Sequence, residues 1–148
     1  MSTLHLARPE DIDRLEPMVA AYHGFEQIDS TEDARRAALA PLLDGTPHGV
    51  AYLIGPRRAP VGYIVVSFGY SVELGGIDGF IDEFFIRERV RGRGMGSDVL
   101  HTLLPALSQH GVKALHLEVD IDNTRARRLY ERAGFKARER YHLMTRTA

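Results

Sequence analysis

The 148 residues carry 19 Lys and Arg against 20 Asp and Glu, a formal net charge of -1, and are 44% hydrophobic and 26% charged. A chain of roughly this length hides about two thirds of its unfolded surface, and so balanced a charge excludes wholesale attraction to nucleic acid or an anionic membrane, so any anion site is local. Cysteine is absent, which excludes a disulfide framework, a Cys-ligated metal and a thiol nucleophile.

The opening "MSTLHLARPEDIDRLE" lacks an apolar signal core, and the run "VGYIVVSF" is far short of the roughly 20 residues that span a bilayer. A cytoplasmic protein of one domain over residues 1–148, without membrane or nucleic-acid partners, is therefore expected. Leu4 and Leu6 alternate with polar neighbours as a short strand does. Ile12, Leu15, Val19 and Tyr22 then share a helical face, with Pro17 expected to bend that helix or delay its start. Ser30 with Asp33 predicts a capping-box start to a second helix, with Ala34, Ala38, Leu39 and Leu42 as its apolar stripe and Gly45 as its stop.

The period then changes. "GVAYLIGP" and "VGYIVVSFGYSVEL" read as antiparallel strands joined by "PRRAP", and "GGIDG" predicts a reversal into "FIDEFFI", ending at Ile86. Leu100, Leu103, Leu104 and Leu107 mark a helix stopped by Gly111 and strained by Pro105, and "KALHLEV" alternates as a strand. "DNTRARRLYERAGF" predicts a helix capped by Asn123 and stopped by Gly134, and "FKARERYHLMT" a last strand. This order predicts an α/β chain of the α+β type, with a mixed, mostly antiparallel central sheet flanked by helices.

The connection "VRGRGMGSDVL" carries Gly92, Gly94 and Gly96 among Arg87, Arg89, Arg91 and Arg93. Side-chain-free residues running into a helix N-terminus suit a phosphate, because the first N–H groups are unpaired and glycine lets the anion approach the backbone. A solvated basic connector is the competing reading. A nucleoside-triphosphate loop requires Lys and then Ser or Thr after the last glycine, whereas Gly96 is followed by Ser97 and Asp98. A dinucleotide fingerprint requires a strand running almost directly into its first glycine, whereas Arg87 to Arg91 intervene.

Arg91, Gly94 and Gly96 fit a third grammar: Arg or Gln, two residues, Gly, one residue, Gly or Ala. With it, and with Asn123, Ala126, Leu129, Tyr130, Gly134 and Phe135 at matching spacing in a later helix, the chain resembles the GNAT family of acetyl-CoA-dependent N-acetyltransferases. "FIDEFFI" is similar to that family's central strand, and "FGYSVELGG" to a group of bacterial members. The resemblance implies that Phe84, Phe85 and Ile86 offer backbone groups to pantetheine. It implies that Arg91, Gly92, Arg93, Gly94, Met95, Gly96 and Ser97 hold the pyrophosphate. Asn123 would touch the cofactor, and Tyr130 would stand beside the thioester sulfur as acid. Related folds pair through sheet edges, which implies a homodimer.

Acetyl transfer requires a neutral amine, a stabilised oxyanion and a proton for the departing thiolate. Without cysteine, direct attack in a ternary complex is expected, with the Ile86 N–H as oxyanion donor. Glu83 is the candidate general base, and Asp82 faces the opposite way unless a bulge re-aims both. A carboxylate that only pairs with a cation is the bland alternative. Glu73, Asp82, Tyr22 and His23 are candidate acceptor-site residues, and the acidic ones point to a small cationic amine. A protein N-terminus or lysine, a non-catalytic acyl-CoA sensor and a dinucleotide enzyme are the rivals. The seven histidines show no metal-binding spacing.

Overall fold

The computed structural model describes residues 3–148. Two compact units are formed, Met1–Glu118 and Val119–Ala148. The first contains β1 (Leu4–Leu6), a 3-10 turn (Pro9–Asp11), α1 (Ile12–Phe25), α2 (Glu32–Leu43), β2 (Gly49–Ile54), β3 (Gly62–Ser71), β4 (Gly76–Ile86), α3 (Met95–Gln109) and β5 (Leu115–Leu117). The strands lie in chain order in one sheet. β1 to β4 are antiparallel neighbours, and β5 joins β4 in parallel after the crossover through α3. This is the mixed, mostly antiparallel sheet that the element order predicts.

On one face of the sheet, Leu15, Met18 and Val19 of α1 and Leu39 and Leu43 of α2 pack with Leu53, Tyr63, Val65 and Phe85. Alternation turns Ile64 and Val66 to the other face, and the buried stripe of α3 is Val99, Leu100, Leu103 and Leu107. Pro17, Pro41 and Pro105 all lie inside helices, and all are exposed. The carbonyl each one leaves without a partner therefore faces water, which is why α1 starts at Ile12, well ahead of Pro17.

Three expectations are corrected here. The N-cap of α2 is Thr31, whose Oγ1 accepts the Ala34 N–H at 3.1 Å, and not Ser30. Ala34 and Ala38 are exposed, because α2 buries its C-terminal part through Leu39 and Leu43. The reversal after β3 is made by residues 72–75, and Ile77 to Gly79 belong to β4. Gly79 is there for close approach: a Cβ would sit 2.8 Å from Leu115 on β5.

Gly62 is packed more tightly still, since a Cβ would drive into the backbone carbonyl oxygen of Phe85. Neither strand can yield without breaking ladder bonds, so Gly62→Ala is expected to lose about 3 kcal/mol or more in urea denaturation, at the upper end of overpacking effects. A cost below 1 kcal/mol would show that β4 gives way freely.

The second unit holds α4 (Thr124–Arg132), started by Asn123, whose Oδ1 accepts the Ala126 N–H at 3.1 Å, and followed by Gly134 at φ 100. The expected last strand does not form, and among the described residues no strand follows Leu117. A turn closed by the Tyr141 N–H on the Arg138 carbonyl at 3.1 Å interrupts that segment. The Arg138 and Arg140 guanidinium groups lie 4.4 and 5.4 Å from the Tyr141 ring centre. Alternation alone makes a strand only where a sheet edge takes its hydrogen bonds.

Candidate active site

The β4–β5 ladder stops at Ile81 opposite Leu117, while β4 continues to Ile86. Along β3 the register slips: Val66 faces Ile81 but Val65 faces Glu83, so Asp82 is an extra, bulged residue. Its consequence is a change of face. Ile81 pairs with Val66 on the α3 side, whereas Glu83 pairs with Val65 on the α1–α2 side; an unbulged strand would put both on one face. Asp82 itself is exposed.

Glu83 is held at both oxygens. Tyr63 donates its hydroxyl to Oε1 at 2.7 Å, and His23 Nε2 lies 2.6 Å from Oε2. Burial first, and the Glu83 charge second, push the Tyr63 phenol far above its ordinary range, so it stays protonated and donating. His23 Nδ1 lies 2.8 Å from Ser30 Oγ. Around them, Tyr22 stands edge-on to Tyr63 and Phe85, with ring centres 6.4 and 6.5 Å apart. With side chains 17% and 15% exposed, Glu83 and His23 are largely sheltered yet reachable.

Next to this carboxylate, the end of β4 turns alternate backbone groups away from β3. The Arg87 N–H donates to Val61 on the β3 side at 2.8 Å. By alternation, the N–H and C=O groups of Phe84 and Ile86 point the other way, towards the gap beyond the end of the β5 ladder. Gly94 precedes α3 at φ 77 with no atom within 4 Å of a notional Cβ, and no side chain caps the helix. The first backbone bond of the helix is the Asp98 N–H on the Gly94 carbonyl at 3.0 Å, which leaves the Met95, Gly96 and Ser97 N–H groups ahead of it. Arg93, Met95 and Asp98 line a cleft of about 480 Å³ with Gly55, Pro56 and Val61.

Arg91 turns back onto the strand end. Its Nε donates to the Ile86 carbonyl at 2.7 Å, and its guanidinium carbon lies 5.6 Å from the centres of both the Phe25 and Phe85 rings. Its charge is thus folded back onto the strand end, and Arg93 is the loop cation that lines the cleft.

A strand that parts from its neighbour, followed by a helix start without a side-chain cap, is matched over residues 12–135 by the model of the acetyltransferase (GNAT) family. The chain belongs to the GNAT acetyltransferase family. Over 58 residues this acetyltransferase is 38% identical to the spermine/spermidine N(1)-acetyltransferase of Bacillus subtilis (strain 168), a match covering 38% of each protein. Its fold resembles an integron cassette protein from the mobile metagenome of Cole Harbour Salt Marsh, with TM-score 0.85 and 32% identity over 98% of this chain and 90% of that one. It also resembles AAC(6')-Iy, solved with a bisubstrate analogue of CoA, with TM-score 0.79 and 14% identity over 100% and 99% of the two chains.

Of the residues the sequence singles out in this acetyltransferase, Glu83, His23 and Tyr22 are brought together, with Phe85 and Arg91 beside them. Glu73 is not among them. It lies in the exposed β3–β4 turn, and the seven residue steps from Gly76 to Glu83 span roughly 20 Å of strand. Tyr130, on α4, is half-buried with its ring edge-on to Phe135, centres 5.8 Å apart. Tyr63, Ser30 and Arg35 join the group around Glu83 without standing out as site residues in the sequence: Tyr63 gives only a weak signal, a polar ring in a strand of Val and Ile, and Ser30 has the form of a helix cap.

No helix among the described residues is long and apolar enough to cross a membrane.

Proposed function

We propose that residues 1–148 act as one N-acetyltransferase domain that moves an acetyl group from acetyl-CoA to a primary amine of a small cationic molecule, by direct attack in a ternary complex. The observation that carries this reading is the doubly held Glu83 carboxylate on the sheltered face of β4, just beyond the point where the sheet parts. The matched family segment, residues 12–135, runs across both compact units.

The residues present fit acetyl-CoA. The α3 N-terminus at Met95 to Ser97 offers N–H groups for pyrophosphate, Gly94 leaves the approach clear, and Arg93 adds charge. The outward groups of Phe84 and the outward Ile86 N–H can take the amide-bearing arm, the Ile86 carbonyl being held by Arg91, and Asn123 joins the set as a proposed contact. When bound, the thioester supplies an activated acetyl group.

Glu83 accepts a proton from the acceptor ammonium, directly or through water, so that a neutral amine is presented. The Ile86 N–H stabilises negative charge developing on the carbonyl oxygen. Tyr130 gives a proton to the departing sulfur. Asp82, exposed on the same strand, and Tyr22 beside Glu83 border the acceptor, and the acidic pair together with the polyamine named in the Bacillus relative favours a cationic substrate. The homodimer belongs to the same proposal.

Thermal shifts with acetyl-CoA, CoA and NAD in parallel test the donor, since a ligand at about 100 times its dissociation constant adds about 2.7 kcal/mol to the folded state. Shifts with the two CoA compounds alone are expected; a shift with NAD alone would withdraw the reading. Thiol release over a panel including spermidine then tests transfer, and CoA binding without release from any amine would favour a sensor. Tyr130→Phe is expected to keep the CoA shift and slow turnover by roughly 100-fold, the low end for lost acid catalysis. An unchanged rate would remove Tyr130 from the chemistry.

A further inference from the structure

Glu83 is held by two donors of different kinds. Tyr63 is fixed as a phenol, but an imidazole nitrogen donates or accepts according to where its proton sits. The groups on either side of His23 settle that choice. Arg35 Nη1, which can only donate, reaches the Ser30 carbonyl at 2.6 Å and Ser30 Oγ at 3.1 Å. Arg35 Nε is itself anchored 3.1 Å from Glu16, a carboxylate only 5% exposed. Glu83, as a carboxylate, only accepts, so in the neutral ring the single proton sits on Nε2, 2.6 Å from Glu83. Nδ1 then takes the Ser30 hydroxyl proton across 2.8 Å, while Ser30 accepts from Arg35 on a lone pair. Every donor in the series Arg35, Ser30, His23, Glu83 faces an acceptor.

The backbone of His23 is held by the same connection. Its carbonyl accepts the Ile28 N–H at 2.8 Å, and the Gln27 N–H reaches the Gly24 carbonyl at 3.3 Å, with Gln27 at φ 58. This is the two-bond ending of a helix in which a left-handed residue reverses the chain.

We infer that His23 is a positioning residue for Glu83, and that Ser30 and Arg35, where the chain enters α2, lock its Nε2–H tautomer. Each carboxylate oxygen keeps a lone pair beyond the one taken by Tyr63 or His23, and the lock aims these at the incoming amine. His23 acts through Glu83 and carries no proton of the reaction. The inference rests on reading Glu83 as the group that takes the amine proton.

The test compares His23→Ala, His23→Gln and His23→Asn in the full chain, with spermidine or the amine of the panel that turns over fastest. A Gln amide nitrogen lies near the position of Nε2, an Asn one near Nδ1. His23→Ala and His23→Asn are expected to lower kcat about 10- to 100-fold, as misplacement of a reacting group does. The KM for acetyl-CoA is expected to hold, and His23→Gln to recover most of the rate. Equal loss in His23→Gln and His23→Ala would overturn positioning in favour of a ring that passes protons, and an unchanged His23→Ala would remove the role altogether.

Nitrogen-15 NMR of the His23 ring reads the lock without turnover. The Nε2–H form is expected in the wild-type protein and a mixture in Ser30→Ala, which keeps the assay decisive if His23→Ala does not fold. The same tautomer in both proteins would refute the lock. Full activity in Glu83→Gln would sink the base assignment, while the ring spectrum would still report the lock.

Discussion

Glu83→Gln is expected to lower kcat by about 100- to 10,000-fold with little change in the KM for acetyl-CoA, the loss associated with removing a general base. The substitution preserves shape: the amide oxygen accepts from the His23 Nε2–H, and on the other side the amide nitrogen donates to the Tyr63 hydroxyl oxygen. What disappears is the ability to take a proton. The residual rate should then climb with pH, about tenfold per unit, as the fraction of free amine rises towards the ordinary pKa of an alkylamine. A variant whose kcat is intact while KM for the amine rises would instead identify Glu83 as an anchor that binds a cation equally in ground and transition states.

Asp11→Ala is expected to cost about 3 kcal/mol, the low end for breaking a buried ion pair, and to lower Tm by roughly 6–12 °C in a chain of this size. Asp11 is fully buried at the start of α1. One oxygen accepts the Arg8 N–H at 2.9 Å and the Arg57 guanidinium, and the other accepts from Arg14 at 3.2 Å. Arg57 also donates to the Leu6 carbonyl at 2.9 Å, so this carboxylate ties the end of β1, the first turn of α1 and the β2–β3 connection together. Arg14 and Arg57 are 40% and 29% exposed and can turn to water, which keeps the loss at the low end. The matching control is Asp13→Ala, whose pair with Arg36 lies at the surface with Asp13 81% exposed, where water screens it and its loss should leave Tm nearly unchanged. Equal Tm values for the two variants would refute the account of Asp11. Because His23 lies 12 residues along the same helix, about 18 Å away, kcat of Asp11→Ala well below its Tm should match wild type.

Much of the fold was readable from punctuation. Gly45, Gly111 and Gly134 end helices where the sequence places those ends, and Asn123 caps α4 as expected. The misreadings share a cause: a local signal carried a non-local meaning. Gly79 resembles a turn residue but makes room for β5, and Ser30 resembles a cap but serves His23. The alternation after Gly134 has no partner strand to pair with among the described residues.

The proposed base, Glu83, stands out in the sequence because it sits in the strand before the glycine loop. Its supports do not, since His23 and Glu83 are 60 positions apart and Tyr63 and Glu83 are 20. No periodicity within one element encodes such contacts.

The extra residue at position 82 gives β4 two phases. Up to Ile81 the strand counts side chains in step with the α3 core, and from Glu83 onward it counts in step with the opposite face. Substitution at the exposed Asp82 changes only what stands at the joint, and deletion would leave Glu83 directly after Ile81 and still opposite Val65; pairing the strand without a bulge while position 82 is kept is what would carry the Glu83 carboxylate into the α3 core. The face on which Glu83 stands is thus decided by how β4 pairs with β3 at that point, and not by the side chain at position 82.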